Sequence, residues 1–225
     1  MKHKTQRTQL YLFQFSKYRF WAFTQMGRGI QLANVPGLRF FKLLGTGAGN
    51  GFSLRPDFST YALLLVWEDE HSASQFSTHF FLNAYFEKAQ TIRLLNLQSF
   101  ASSGRWSGET PFVSTHEKVD KKKPVAIITR ATLRWNRLLS FWKNVPRASK
   151  SIESAKGVNF FKGIGEWPFI QQATISLWDS LDDVIQFAYK DPIHSTIVKK
   201  TRKQQWYKED LFARFTINSD LTLKS

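Results

Sequence analysis

Residues 37 to 45, GLRFFKLLG, return 120 positions later as GVNFFKGIG at 157 to 165, with Gly, Phe, Phe, Lys and Gly identical. Matching residues at a fixed offset mark a duplicated unit, and this repeat constrains the fold more than any other feature of the chain. It extends in both directions. RFWAFTQMGR (19 to 28) faces SFWKNVPRAS (140 to 149), and YALLLVWEDEHSASQF (61 to 76) faces ATISLWDSLDDVIQF (173 to 187).

Each copy opens on a run of branched and aromatic residues, QLYLFQF at 9 to 15 and PVAIITRATL at 124 to 133, which predicts a strand. A helix follows through Trp21 and Met26 in the first copy, and through Leu138, Trp142 and Ile152 in the second. The segments from Gly37 and Gly157 read as strands, each paired with the alternating strand that ends in Trp67 or Trp178. Acidic residues directly after each Trp suit a helix N-terminus, where they oppose the positive end of the dipole. A closing strand completes each unit. Strand, helix, strand, strand, helix, strand is the ferredoxin-like plan. The expected class is therefore α+β, with two ferredoxin-like repeats forming a pseudo-twofold dimeric-α/β-barrel-type fold in one chain. The repeats span 1–107 and 124–225, joined by the polar linker 108–123, and they enclose an apolar interior into which a late-helix imidazole projects.

The stretch FFKLLGTGAGNGF (40 to 52) has glycines at 45, 47, 49 and 51. A dinucleotide fingerprint needs G-x-G-x-x-G opening a helix, and a P-loop needs Gly-Lys-Ser/Thr. This spacing meets neither, and another strand follows it. A hairpin loop is expected, and the second copy carries only the shorter GIGEWPF. A long loop on one half is placed to cover a pocket.

With 42% hydrophobic and 16% aromatic residues the chain can bury a core. The absence of cysteine excludes disulfides, thiolate metal sites and cysteine nucleophiles. No apolar run reaches the ~20 residues of a spanning helix. The opening MKHKTQRTQLYLFQF lacks the apolar core of a secretory signal, which predicts a cytoplasmic protein, with peripheral contact to the inner face of the membrane as an option. The formal charge is +15, and nine Lys and Arg precede Asp57, the first acidic residue. KKK at 121 to 123 and KKTRK at 199 to 203 add to it. Such a surface attracts anionic lipid, nucleic acid or an acidic protein. The lack of any RNP-type motif disfavours nucleic acid.

Of five histidines, His3, His71 and His116 fall in a terminus, a charged turn and the linker. In DPIHSTIVKKTRKQQW, Asp191 is placed as an N-cap and Pro192 at the first helical position. His194 then shares a face with Ile197, Val198 and Thr201, while Lys199, Lys200, Arg202 and Lys203 mostly point elsewhere. Two readings stand: a satisfied core histidine, or an axial ligand to haem, since neutral imidazole binds iron and an apolar wall suits a porphyrin. His79 is the weaker competitor. Neither a G-x-S-x-G elbow nor an H-E-x-x-H pair is present.

The segments PGLRFFKLLGTGAGNGFSLRPDFSTYALLLVW (36 to 67), SGRWSG (103 to 108), RATLRWNRLLSFWKNVPRAS (130 to 149), FFKGIGEWPFIQQATISLW (160 to 178) and WYKEDLFARF (206 to 215) together resemble the spheroidene monooxygenase family of acyclic carotenoid ketolases. The likeness runs in order from about residue 9 to 216. It implies an oxygen-dependent, haem-containing enzyme that inserts oxygen next to the end of a linear carotenoid, as a hydroxyl and then a ketone. Reduced ferredoxin or a similar protein would supply electrons. Related barrels hold haem through a histidine on a late helix, and His194 fits that position. On this reading Arg105 and Trp106 line the distal side, with Arg105 as a hydrogen-bond donor, and Arg214 pairs with a haem propionate. The plainer account of each arginine is a surface or structural ion pair. The basic N-terminus and the lysine-rich linker depart from the family pattern. Two rivals share the fold: a haem-handling or haem-degrading barrel, and a non-enzymatic module that binds an apolar ligand.

Overall fold

A computed structural model describes residues 5–49, 53, 55–115 and 118–225. His3, His116 and the 50 to 52 portion of the glycine motif lie outside the described residues. The first half runs β1 (Arg7–Gln14), α1 (Arg19–Gln25) continued by a 3-10 turn, β2 (Leu38–Gly47), β3 (Pro56–Trp67), α2 (Glu70–Gln75), α3 (Phe80–Lys88) and β4 (Thr91–Gly104). The second runs β5 (Val125–Leu133), α4 (Leu138–Glu153), β6 (Val158–Gly165), β7 (Gln171–Trp178), α5 (Leu181–Lys190), α6 (Pro192–Gln204) and β8 (Tyr207–Lys224). The glycine motif leads from β2 into β3 as an antiparallel hairpin.

All strand pairs are antiparallel, and the eight strands close a barrel in the order β1-β3-β2-β6-β7-β5-β8-β4. Within each half the spatial order is fourth, first, third, second strand. The two seams between halves are unequal. β4 and β8 pair from Ile92↔Lys224 to Gly104↔Leu211, whereas β2 and β6 pair only at Gly45↔Gly165 and Thr46↔Ile164.

Equivalent turns recur in both halves. Gly37 (φ +74) and Gly157 (φ +79) precede β2 and β6, and a Cβ on either would strike Ser72 or Asp183 in the helix that follows. Each glycine carbonyl accepts an amide just beyond the Trp shared by the two segments, Glu68 N at 2.9 Å and Asp179 N at 2.7 Å. Only glycine occupies this backbone region without strain. Helices α2, α5 and α6 begin at side-chain caps: Asp69 accepts from Ser72 N (2.9 Å), Ser180 from Asp183 N (3.1 Å) and Asp191 from His194 N (2.6 Å). His79 is itself the cap of α3, where its Nδ1 accepts from Phe81 N.

Alternation along the strands sends one apolar set inward and the other toward the helices. The inward set, including Leu10, Leu64, Leu95, Ile128, Ile175 and Phe215, forms one continuous core with contributions from both halves. An eight-stranded barrel is narrow enough for side chains to fill its interior, and this buried cluster occupies it here. The expectation of an imidazole projecting into that interior is therefore corrected: His194 lies outside the barrel, under the second set of helices. The expected linker is partly packed as well. Phe112 is buried in the barrel core against Phe215, with ring centroids 5.0 Å apart, and Ser114 Oγ accepts from Ser102 N at 2.9 Å.

Candidate active site

Helix α6 presents His194, Ile197, Val198 and Thr201 to a cavity of about 660 Å³ bounded by α4, α5 and the outer face of β5, β7 and β8. That face was legible from the i, i+3, i+4, i+7 spacing. Ile127, Phe141, Val145, Phe161 and Trp178 supply apolar wall, and the His194 ring lies 4.5 Å from the Phe187 ring at a tilt of 40°. Burial lowers the imidazole pKa below its ordinary 6.5, and the nearby Asp191 carboxylate only partly opposes this. The ring is neutral at neutral pH, the form that ligates iron. No described residue hydrogen-bonds to either ring nitrogen.

These residues fit a haem. A porphyrin brings four nitrogen donors and needs one more from the protein, and among the described residues no group of three or more His, Asp and Glu is placed to hold a bare metal ion. The volume falls within the ~300–1,000 Å³ range of small-molecule sites. Ser149 Oγ lines the cavity, buried and without a partner among the described residues. Arg134, Arg202 and Lys208 also line it, and these cations suit carboxylate substituents.

The other expected site residues are not brought to this cavity. Arg214 lies beside it on β8, its guanidinium 5.1 Å from the Phe212 ring, and does not line it. Arg105 is exposed and donates to Gly108 O. Trp106 is 0% exposed inside the barrel core, edge-on to Phe40 at 5.7 Å, with Nε1 donating to Glu166 Oε1 at 2.6 Å. Neither Arg105 nor Trp106 lines the cavity; Trp106 meets it only through Arg130, whose guanidinium lies 5.8 Å from the indole and which lines the cavity together with Glu209. Arg202, expected to point away, lines the cavity instead.

Trp106 belongs to an inward-facing polar cluster that sequence reasoning missed. Lys42 Nζ bonds Glu166 Oε2 at 2.7 Å, and the buried Arg130 pairs with Glu209. Glu209 also accepts from Ser107 N (2.9 Å) and Gly108 N (2.7 Å). Burial alone would raise the Glu209 carboxyl, but the Gly108 and Ser107 amides and the Arg130 guanidinium outweigh it and hold it below its ordinary 4.5. Across the β2–β6 seam, Lys162 reaches Asp57 Oδ2 at 3.4 Å. Lys42 and Lys162 are the lysines of the two FFK copies, and each pairs with an acid from the opposite half. A lysine repeated at an inward position of a strand was the available signal.

No family model matches the chain. Among curated proteins it is 33% identical to the spheroidene monooxygenase of Rubrivivax gelatinosus, over 88% of this chain and 76% of that protein. It is 32% identical to the spheroidene monooxygenase of Cereibacter sphaeroides, over 94% of this chain and 67% of that protein.

The chain belongs to the spheroidene monooxygenase family.

Like the family it joins, it is an oxidoreductase. The Rhodobacter capsulatus spheroidene monooxygenase matches at 29% identity over 83% of this chain and 78% of that protein. Among solved structures, aldoxime dehydratase superposes with a TM-score of 0.65 at 12% identity, covering 99% of this chain and 85% of that one. An aldoxime dehydratase in complex with butyraldoxime gives 0.60 at 12% identity, over 96% and 81%. At such identity the likeness concerns the fold, a mixed α/β chain around an eight-stranded antiparallel barrel.

Proposed function

We propose that this member of the spheroidene monooxygenase family introduces oxygen near the end of a linear carotenoid at a haem held by His194. The observation that carries the reading is the pairing of one neutral, unbonded imidazole with an apolar cavity of haem-compatible size. When bound, haem supplies the iron chemistry that activates dioxygen. The chain's own residues do the rest. The Asp191 cap fixes the first turn of α6 and so the position of His194; Phe187 sets the tilt of the ring. Arg134, Arg202 and Lys208 are the candidate partners of the propionates. Phe141, Val145 and Phe161 exclude water and receive the apolar substrate.

Reduced ferredoxin, or a similar acidic electron donor, is the proposed partner; the +15 charge favours its approach. The same charge suits an anionic bilayer, where a carotenoid partitions. Trp135 and Leu139, 75% and 81% exposed at the start of α4, stand among Arg134 and Arg137. Trp142 on the same helix meets Phe169 edge-on, with ring centroids 6.0 Å apart, and Phe169 belongs to the loop that carries the exposed Trp167. Exposed aromatics beside cations are the makings of an interfacial anchor. No described helix is long and apolar enough to cross a membrane. The two-repeat, pseudo-twofold reading of the barrel is held in the same way, supported by the equivalent Gly37 and Gly157 turns and the reciprocal Lys42 and Lys162 pairs.

Expression in a host that accumulates linear carotenoids, followed by pigment analysis, tests the reaction. The chain should yield a ketone, and His194→Ala should lose both the ketone and the haem absorption band of the purified protein. Unchanged pigments would refute the reaction, and a band that survives His194→Ala would refute the ligand.

A further inference from the structure

The glycines singled out in the sequence have a role that the hairpin does not absorb. Gly45 and Gly47 on β2, with Gly163 and Gly165 on β6, all face outward at the narrow seam, since their neighbours Leu44, Thr46 and Ile164 are buried on the inner side. The result is a floor of bare backbone. Phe23, Met26, Phe58, Tyr61 and Phe169 wall it into a groove of about 310 Å³. Gly165 is required locally, for a Cβ there would press on Gln171 O at 2.7 Å. Gly45 is not: its φ is ordinary, and a Cβ would meet nothing nearer than Gly165 O at 3.9 Å. A glycine weakens a strand relative to a β-branched residue, so its effect at this position is to keep the groove open.

A second observation concerns Tyr61, the cross-strand partner of Gly45. The residue is 5% exposed and lines the groove, and its hydroxyl has no hydrogen-bond partner among the described residues. A buried hydroxyl left unpaired costs about 1–3 kcal/mol. An acceptor oxygen on a ligand would remove that cost. The acids at the groove edge are already committed, Asp57 to Ser59 and Lys162, and Glu166 to Lys42 and Trp106. Thr46 Oγ1 is bonded to Thr60 O, so the Tyr61 hydroxyl joins Ser53 and Gln172 as the polar contacts of an otherwise apolar slot. The groove also leads somewhere. Gln172 lines both this groove and the His194 cavity, and Phe161 in that cavity lies two residues from Gly163 on the same strand face, or roughly 7 Å.

We propose that the glycine-floored groove binds the far arm of the linear polyene, whose other end lies in the His194 cavity, and that Tyr61 donates to an ether or carbonyl oxygen on that arm. The assignment rests on the polyene reading of the function. It makes Gly45 and Tyr61 determinants of substrate length and oxygenation.

The test uses two probes in mild detergent, a linear polyene ether and the unsubstituted polyene of the same length, with binding read from quenching of tryptophan fluorescence. Gly45→Ile should weaken both probes at least tenfold while leaving the haem band in place. Tyr61→Phe should weaken the ether about three- to tenfold, the worth of one neutral hydrogen bond, and leave the hydrocarbon unaffected. Should Gly45→Ile fail to fold, Phe58→Ala on the half-exposed wall should also weaken both probes. Equal affinity of folded Gly45→Ile, or of Phe58→Ala, and the unaltered protein would overturn the groove assignment, as would failure of the unaltered protein to bind either probe. A Tyr61→Phe loss of equal size for both probes would overturn the role of the hydroxyl. Binding that behaves as expected in a protein that makes no ketone would leave the groove standing and remove the reaction.

Discussion

Replacing Trp106 separates a structural role from a catalytic one. The indole is fully buried in the barrel core and donates 2.6 Å to Glu166, which keeps Lys42 as a second partner. Trp106→Ala removes the whole ring, a change that costs about 3–5 kcal/mol in well-packed cores. Against a total stability of about 5–15 kcal/mol, that variant is close to unfolding and is the poorer experiment. Trp106→Phe keeps most of the apolar volume and loses the hydrogen bond to a charged acceptor, worth about 1.5–3 kcal/mol. For a chain of this size each kcal/mol moves the melting temperature by about 2–4 °C, so the midpoint should fall by about 3–12 °C. Thermal unfolding followed by circular dichroism gives the shift, and ketone formation per folded molecule gives the activity. The buried placement predicts a lower midpoint with unchanged activity. A full midpoint with activity lost would refute the argument and return Trp106 to the reaction.

The depressed pKa of His194 makes the protein acid-sensitive. As pH falls below 6.5 the unfolded chain takes up a proton that the folded imidazole resists, so stability declines toward the folded pKa and is constant above 6.5; urea midpoints of the parent protein against His194→Gln should diverge only in that window. Gly37→Ala places a Cβ 2.2 Å from Ser72 Oγ at φ +74 and should destabilise by about 1–3 kcal/mol in chemical denaturation, whereas an equal midpoint would show that the turn can relax. Flotation with anionic and neutral vesicles should favour the anionic ones and lose that preference in a Trp135→Ser, Leu139→Ser double variant. Equal binding to both vesicle types would count against the α4 edge as an anchor.

The linear order of residues determined a good deal by itself. Local rules place many of the elements: alternating apolar runs for strands, Asp191 and Pro192 for the start of α6, acids after Trp67 and Trp178 for α2 and α5, though not the break at His79 that starts α3. The repeated segments pointed to two matching halves, and the i, i+3, i+4, i+7 spacing assembled the His194 face. What it left open was on which side of the barrel wall each residue falls. Period-two alternation divides a strand into two faces without saying which is the inside, and both faces here are apolar because one meets the barrel core and the other the helices. The filled interior, which sends Trp106 to the core and His194 to the outer cavity, was decided by barrel closure. Closure also joined Lys42 to Glu166 and Lys162 to Asp57, residues far apart in the chain. It set Gly45 beside Gly165 as the floor of a groove. Such contacts depend on strand register across the seams, where no local pattern reaches, because the energy that selects the register comes from packing the whole ring at once.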